Sequence, residues 1–174
     1  MTSTAETETS TTTQIYRVFI RATPQKIWDA ITKPEWTQRF GYGLRDEYDL
    51  RPGGAYRGHA NAGMIAMGMS GVIVDGEVIE SDPPRKLVVT WRMAVDPSMA
   101  AEGFTRLTYE IEEGRDGVSR LSVIHDLSGT PGHAAMVAGV LQGPGAGGGW
   151  TWILSDLKSL LETGSQMSAA GWSP

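Results

Sequence analysis

The sequence predicts an α+β fold in which a curved antiparallel sheet wraps around a long C-terminal helix and encloses an apolar pocket. Several central segments alternate apolar and polar residues, which is typical of strands with one buried face. The last apolar segment, from Trp150 to Leu161, follows the 3.6-residue period of a helix instead. Strands in series need a second layer over their apolar face, and this helix is the only large one predicted.

Length and composition restrict the class of protein. A chain of 174 residues is long enough to bury one core, and the lack of cysteine excludes disulfides and thiolate sites. The net charge is −5, from 20 acidic and 15 basic residues without a basic cluster, so we expect no nucleic-acid partner. We find no apolar run of membrane-spanning length and no signal peptide, so we expect no membrane span and a cytoplasmic location.

The two ends of the chain differ in composition from the middle. Residues Met1 to Thr13 are almost all Thr, Ser, Glu and Ala, which predicts a disordered tail. We expect one folded domain over residues 14–163, because no linker divides this span. Gly164 is a natural helix stop, and a flexible tail is expected over residues 164–174.

The first elements have clear start and stop signals. Ile15–Ile20 is rich in β-branched and aromatic residues and predicts a strand. Thr23 suits an N-cap, so we predict a short amphipathic helix over Pro24–Thr32. Pro34 ends that helix and opens a second short one through Phe40.

About six further strands follow, separated by turn signals such as Asp82-Pro83-Pro84. The predicted strands are Arg45–Leu50, Ala55–Ala60, an apolar strand around Val72–Ile79, and the alternating segments Leu87–Met93, Leu107–Ile111 and Leu121–Leu127. Asn61–Gly63 is predicted as a break between strands. A helical turn or two is expected within Ala134–Gln142, before the glycine-rich break Gly143–Gly149. The whole sheet should therefore contain six or seven strands.

Short motifs in a fixed order carry a resemblance to a known family. The motifs are ATPQKIWDAI at 22–31, RPGG at 51–54, GEVIESDPPRKL at 76–87, TW at 90–91, TRLT at 105–108, LSVIH at 121–125, and GW at 149–150 before the leucines of the last helix. From about Ile15 to Glu162 the chain resembles the SRPBCC (START-like, Bet v-like) superfamily, in the branch of the heat-shock-protein-90 ATPase activator homologue C-terminal domain. The resemblance implies a helix-grip fold with a cavity between sheet and C-terminal helix. It does not fix a function, because such folds host carriers, receptors, cyclases, hydrolases and chaperone partners.

One segment departs from the family pattern. The family passes briefly from its last strand to the Gly-Trp helix start, whereas Ser128–Gly148 intervenes here. A lid over the pocket mouth is one interpretation of this segment.

Strand and helix phase directs a set of apolar and aromatic side chains toward the pocket. The candidate ligand-binding residues are Tyr56, Trp91, Met93, Tyr109, His125, Trp150 and Leu154. An aromatic cleft with few polar groups suits a flat or amphipathic small molecule. Simple core packing is the alternative interpretation.

His125 is the main candidate for chemistry, because it shares a strand face with apolar residues. It is a candidate general base, with Tyr109 or Glu77 as its partner. The alternative is a buried neutral histidine that is hydrogen-bonded to a neighbouring group. His59 and His133 share no metal-ligand spacing with it, so no metal is expected. The run Gly143–Gly149 lacks the Gly-Lys-Ser/Thr ending of a phosphate-binding loop, so no other cofactor is expected.

Three functions remain open at this point. The first is binding of a hydrophobic or aromatic small molecule. The second is a cyclase, hydrolase or isomerase that uses the same pocket. The third is a role with a protein partner that resembles chaperone ATPase activation. The sequence leaves open whether the chain is an enzyme and whether it is a monomer or a homodimer.

Overall fold

Seven antiparallel strands form one sheet in the order β1-β7-β6-β5-β4-β3-β2, in a computed structural model that describes residues 12–69, 71–141 and 148–168. The strands are β1 Thr13–Ile20, β2 Arg45–Tyr48, β3 Ala55–His59, β4 Val72–Asp82, β5 Lys86–Met93, β6 Thr105–Glu113 and β7 Ser119–Asp126. The helices are α1 Pro24–Thr32, α2 Pro34–Thr37, α3 Ala62–Ala66, α4 Pro97–Glu102, α5 Pro131–Val137 and α6 Gly149–Thr163. The α+β class, the curved antiparallel sheet and the long C-terminal helix are confirmed.

The sheet is a meander from β2 to β7, and β1 is the one strand that pairs out of sequence order. Strand β1 lies antiparallel to β7, with Thr13 opposite Asp126 and Ile20 opposite Ser119. The ordered strand thus begins at Thr13, one residue before the domain boundary expected from the sequence. Residues 1–11 of the predicted tail lie outside the described residues.

Helix α1 follows the prediction residue for residue. The Thr23 side chain accepts a hydrogen bond from the Lys26 N–H, and Pro24 occupies the first turn. Ile27, Trp28 and Ile31 are buried on one face. This face closes one side of the core between the sheet and α6.

Several short helices differ from the sequence prediction. A break was expected at Asn61–Gly63, but the Asn61 side chain accepts from the Met64 N–H and starts α3. Asp96 likewise caps α4, which the sequence analysis did not predict. Helix α2 stops at Thr37 rather than Phe40, and α5 begins earlier than expected. Helices α3 and α4 each depend on one polar cap, because they are too short to show a periodic apolar face.

Asp156 lies on α6, and only 1% of its surface is exposed. Its two carboxylate oxygens accept from the Gly41 N–H (2.8 Å) and the Met167 N–H (2.7 Å). The Ser159 hydroxyl donates to the Ser165 carbonyl. The segment after Gly164 is therefore held against α6 as far as Met167, whereas residues 169–174 of the predicted tail lie outside the described residues.

Asp156→Asn tests this buried carboxylate, because it keeps the volume and places an NH₂ group against one of the two N–H donors. We expect the free energy of unfolding to fall by about 2 kcal/mol in a urea titration. Asp29→Asn is the matched control, because Asp29 pairs with Lys33 on the surface of α1. That control should lose less than about 1 kcal/mol. Equal losses in the two variants would contradict the assignment.

Candidate functional site

A cavity of about 290 Å³ lies between the inner face of the sheet and α6. Its walls combine aromatic, methionine and aliphatic side chains with a few polar groups. They include the candidates Tyr56, Trp91, Met93, Tyr109, Trp150 and Leu154, together with Ile31, Phe40, Tyr42, Leu44, Asp46, Met64, Met69, Ile73, Val74, Val95, Leu121, Met136, Val137, Gly149, Ile153 and Leu157. The expected ligand-binding residues therefore meet at one cavity, with the exception of His125.

The period of each element explains why these side chains converge. On β5 and β6, Trp91 and Tyr109 occupy the inward positions of alternating strands, and both are buried. Trp150 and Leu154 are four residues apart on α6, so they share the helix face that covers the sheet. The indole of Trp150 and the phenol of Tyr109 meet edge to face, with centroids 6.0 Å apart.

His125 lies behind this wall and is fully buried. The Trp150 indole N–H donates to its Nδ1 at 3.1 Å. An indole N–H can only donate, so the ring proton of the neutral imidazole is on Nε2. Nε2 then donates to Thr105 Oγ1 (2.7 Å), and that hydroxyl donates to the Trp91 carbonyl (2.8 Å). Both ring nitrogens are occupied, which matches the buried neutral histidine that the sequence analysis kept as an alternative.

Burial, together with the nearby His133, lowers the pKa of His125 to about 3. The folded state therefore favours the neutral ring relative to the unfolded chain, where the pKa is about 6.5. The stability that this provides is present above pH 6.5 and is lost as the pH falls toward 3. With no free nitrogen and no contact with the cavity, His125 is not positioned to act as a general base.

The two other catalytic candidates, Tyr109 and Glu77, lie in different environments. Tyr109 lines the cavity, and burial raises the pKa of its phenol, so it is a neutral hydrogen-bonding group there. Glu77 is exposed, because Gly76 and Val78 take the buried positions on either side of it in β4. The acid–base couple of His125 with Glu77 is therefore not assembled.

Asp46 is a site residue that the sequence analysis missed. It is half-buried on β2 and lines the cavity. The Tyr56 hydroxyl lies 3.5 Å from its Oδ1, and desolvation raises the pKa of the carboxyl to about 7. From Leu44 through β2, Leu44, Asp46 and Tyr48 alternate with the charged residues Arg45 and Glu47, and this alternation was the available signal for an inward-facing acid.

Two tyrosines stack beside Asp46. The rings of Tyr48 and Tyr56 lie 4.4 Å apart and nearly parallel, across the β2–β3 pair. Burial, with the neighbouring Asp46 and Tyr109, raises the pKa of both phenols well above 10. This end of the cavity therefore has neutral phenols around one carboxyl group.

His133 is also fully buried, next to the cavity wall. Its Nε2 accepts from the Met93 N–H (3.1 Å), so Nδ1 donates to a Glu102 carboxylate oxygen (2.7 Å). Trp91 lies between the two histidines and meets each ring edge to face, with centroids 5.3 Å from His125 and 5.7 Å from His133. These contacts orient the indole that forms part of the wall.

The inserted segment Ser128–Gly148 contributes α5 to the site. Met136 and Val137 of that helix line the cavity. Residues 142–147 lie outside the described residues, so the interpretation of the segment as a lid stays a prediction.

His59 lies away from the cavity. Its Nε2 is 3.1 Å from a Glu47 oxygen across the β2–β3 hairpin. Within the described residues, no group of three or more His, Asp or Glu side chains is arranged to hold a metal ion. No helix in the described part of the chain is long and apolar enough to cross a membrane.

Comparisons with known proteins agree with the fold described above. The sequence model of the family described as Activator of Hsp90 ATPase homolog 1-like protein matches residues 21–162. No curated protein sequence matches the chain.

Three solved structures show the same fold at low identity. Protein MLL2253 from Mesorhizobium loti has a TM-score of 0.62 at 19% identity, over 86% of this chain and 96% of that chain. The Aha1 dimer from Colwellia psychrerythraea has a TM-score of 0.58 at 16% identity, over 88% of this chain and 98% of that chain. CalU16 from Micromonospora echinospora, in its crystal structure, has a TM-score of 0.50 at 21% identity, over 68% of this chain. The match covers 62% of that CalU16 chain, which is less than two thirds of its length.

The protonation state and tautomer of His125 can be tested by long-range ¹H–¹⁵N NMR of the imidazole rings. We expect the His125 signals of the folded protein to keep the Nε2–H tautomer between pH 5 and 8, because the pKa lies near 3. The urea-unfolded chain is the control, where the same ring should titrate near pH 6.5. A midpoint above pH 5 in the folded protein would show that the ring is free to take a proton.

Proposed function

This chain belongs to the family of Activator of Hsp90 ATPase homolog 1-like proteins, and from that premise we propose that it binds an apolar or aromatic small molecule. The site is the cavity between the sheet and α6. One observation carries the proposal: about 290 Å³ stays open even though Trp91, Tyr109, Trp150 and several methionines converge there. A solidly packed core would have left no such volume.

The energetics of the cavity favour an occupant. Atoms that line a cavity have fewer protein neighbours than atoms in a close-packed interior, and therefore fewer dispersion contacts with the protein. A ligand restores those contacts, and it also removes its own apolar surface from water at about 25 cal/mol per Å². The phenols of Tyr56 and Tyr109, both on the wall, offer neutral hydrogen bonds that orient a ligand.

The alternative function, an enzyme that uses the same cavity, lacks the general base that was expected for it. Both nitrogens of His125 are hydrogen-bonded away from the cavity, and Glu77 faces outward. A binding role needs only the walls and the volume, which supports it over catalysis by that pair.

Thermal unfolding against a library of lipids, aromatic metabolites and polyketide-like compounds tests the proposal. A ligand at a hundred times its Kd adds about 2.7 kcal/mol to stability. For a chain of this size, Tm should rise by roughly 5 to 11 °C. No shift with any class of compound would contradict the proposal.

A pair of variants tests whether the ligand that raises Tm binds in the cavity. Met136→Trp places a larger side chain on the wall, so it should remove the shift while the protein still unfolds cooperatively. Val140→Trp is the matched control, because Val140 is 70% exposed just beyond α5. That variant should keep the shift. Loss of the shift in both variants would place binding elsewhere.

A role with a protein partner is the second candidate, and the family description favours it. Apolar side chains at Ile65 and Met67, around α3, are more than half exposed and provide surface for such a contact. If the chain activates a chaperone ATPase, adding it to purified Hsp90 should raise the ATPase rate, and Ile65→Asp should reduce that effect. An unchanged rate, together with no retention of the chaperone in a pull-down, would contradict this candidate.

A further inference from the structure

The cavity contains one group that its apolar character does not explain. Among the described residues that line it, Asp46 is the only Asp, Glu, Lys, Arg or His. The facing residue on β3 is Gly58, and a Cβ there would lie 2.8 Å from Asp46 Oδ1. The lack of a side chain at Gly58 therefore leaves room for the carboxyl group.

The protein provides few hydrogen bonds and no ion pair to the Asp46 carboxylate within the described residues. Within the described residues its hydrogen-bond donor is the Tyr56 hydroxyl, at a long 3.5 Å. The cation nearest in the strand, Arg45, pairs instead with Glu47 on the other face of β2. A carboxylate that is half-withdrawn from water into an apolar cavity is costly without a cation, and either a proton or a cationic partner removes that cost.

We propose that the cavity selects a hydrophobic amine, whose ammonium group pairs with Asp46 while its apolar body fills the space along Trp91, Tyr109 and α6. This inference rests on the proposed binding function and names the ligand class for it. Tyr56 and Tyr109 line the same cavity near the carboxyl, and aromatic rings attract cations. A carboxylate beside aromatic rings in an apolar cavity matches both parts of such a ligand.

Pairing with Asp46 makes the affinity for an amine dependent on pH. An ammonium group pairs with the ionised form of Asp46, and that carboxyl titrates near pH 7. Among the described residues, the titratable groups that face it are the phenols of Tyr48, Tyr56 and Tyr109, which stay neutral in this range. On α2, which packs against β2, Glu35 is exposed and Thr37 accepts from the Asp46 N–H.

Calorimetry with 4-phenylbutylamine and its neutral analogue 4-phenylbutan-1-ol tests this selection. At pH 8 we expect the amine to bind at least about tenfold more tightly than the alcohol. From pH 8 to pH 5.5 the amine should lose roughly ten- to a hundredfold in affinity, because Asp46 takes up a proton. The alcohol should change much less over the same range.

Matched variants separate Asp46 from its neighbours. Asp46→Asn should remove both the amine preference and its pH dependence, while alcohol binding is retained. Glu47→Gln alters the adjacent acid on the outer face of β2 and should leave both properties unchanged. Gly58→Ala should also remove the amine preference, because the added methyl group displaces the Asp46 carboxyl.

The outcomes distinguish this inference from the proposed function. If the alcohol binds as tightly as the amine, or the amine preference survives Asp46→Asn, the inference is overturned and the binding function stands. If neither compound binds at pH 8, the inference is also overturned. The library of neutral ligands then decides the binding function independently.

Discussion

Helix α6 begins over the middle of the sheet, where the Trp150 indole starts a chain of three buried hydrogen bonds. The chain runs through His125 on β7 and Thr105 on β6 to the Trp91 carbonyl on β5. Each member has its donor or acceptor satisfied, so the chain ties the helix to three adjacent strands without leaving a buried polar group unpaired. Because these bonds are directional, they set the position of the helix start more narrowly than apolar packing alone would.

The remaining contacts of α6 extend this constraint along the helix. Asp156 holds the loop at Gly41 and the chain beyond the helix. Near the other end, Lys158 donates to the Phe19 carbonyl and Glu162 accepts from the Arg21 N–H. Fixed at these points, α6 spans the sheet at a distance that leaves the cavity open between them. The cavity is thus a consequence of how the helix is held, and large side chains form its walls without closing it.

The histidines near the cavity wall and the carboxyl group that lines the cavity differ in how fully they are hydrogen-bonded. His125 and His133 have both ring nitrogens hydrogen-bonded and serve to orient Trp91 and Trp150. Asp46 keeps its carboxyl at the cavity with one long hydrogen bond. The fully hydrogen-bonded histidines stabilise the cavity wall. The Asp46 carboxyl, whose charge has no cationic partner within the described residues, is instead a group that a ligand can complement. The binding role and the inferred ligand class both follow from that difference.

The sequence by itself determined the elements that have a strong local signal. Helix α1 has an N-cap, a proline and a periodic apolar face, so its bounds were predictable. Strands β5 to β7 alternate clearly, so their inward residues were predictable, although β6 and β7 begin two residues earlier than expected. The short helices α3 and α4 lack that period and were missed. Only the tertiary structure decided the roles of His125, Asp46 and Asp156. Their partners lie 25, 10 and 115 residues away, at Trp150, Tyr56 and Gly41. Burial and pairing of such groups depend on strand register and helix placement, and local patterns do not encode these long-range distances.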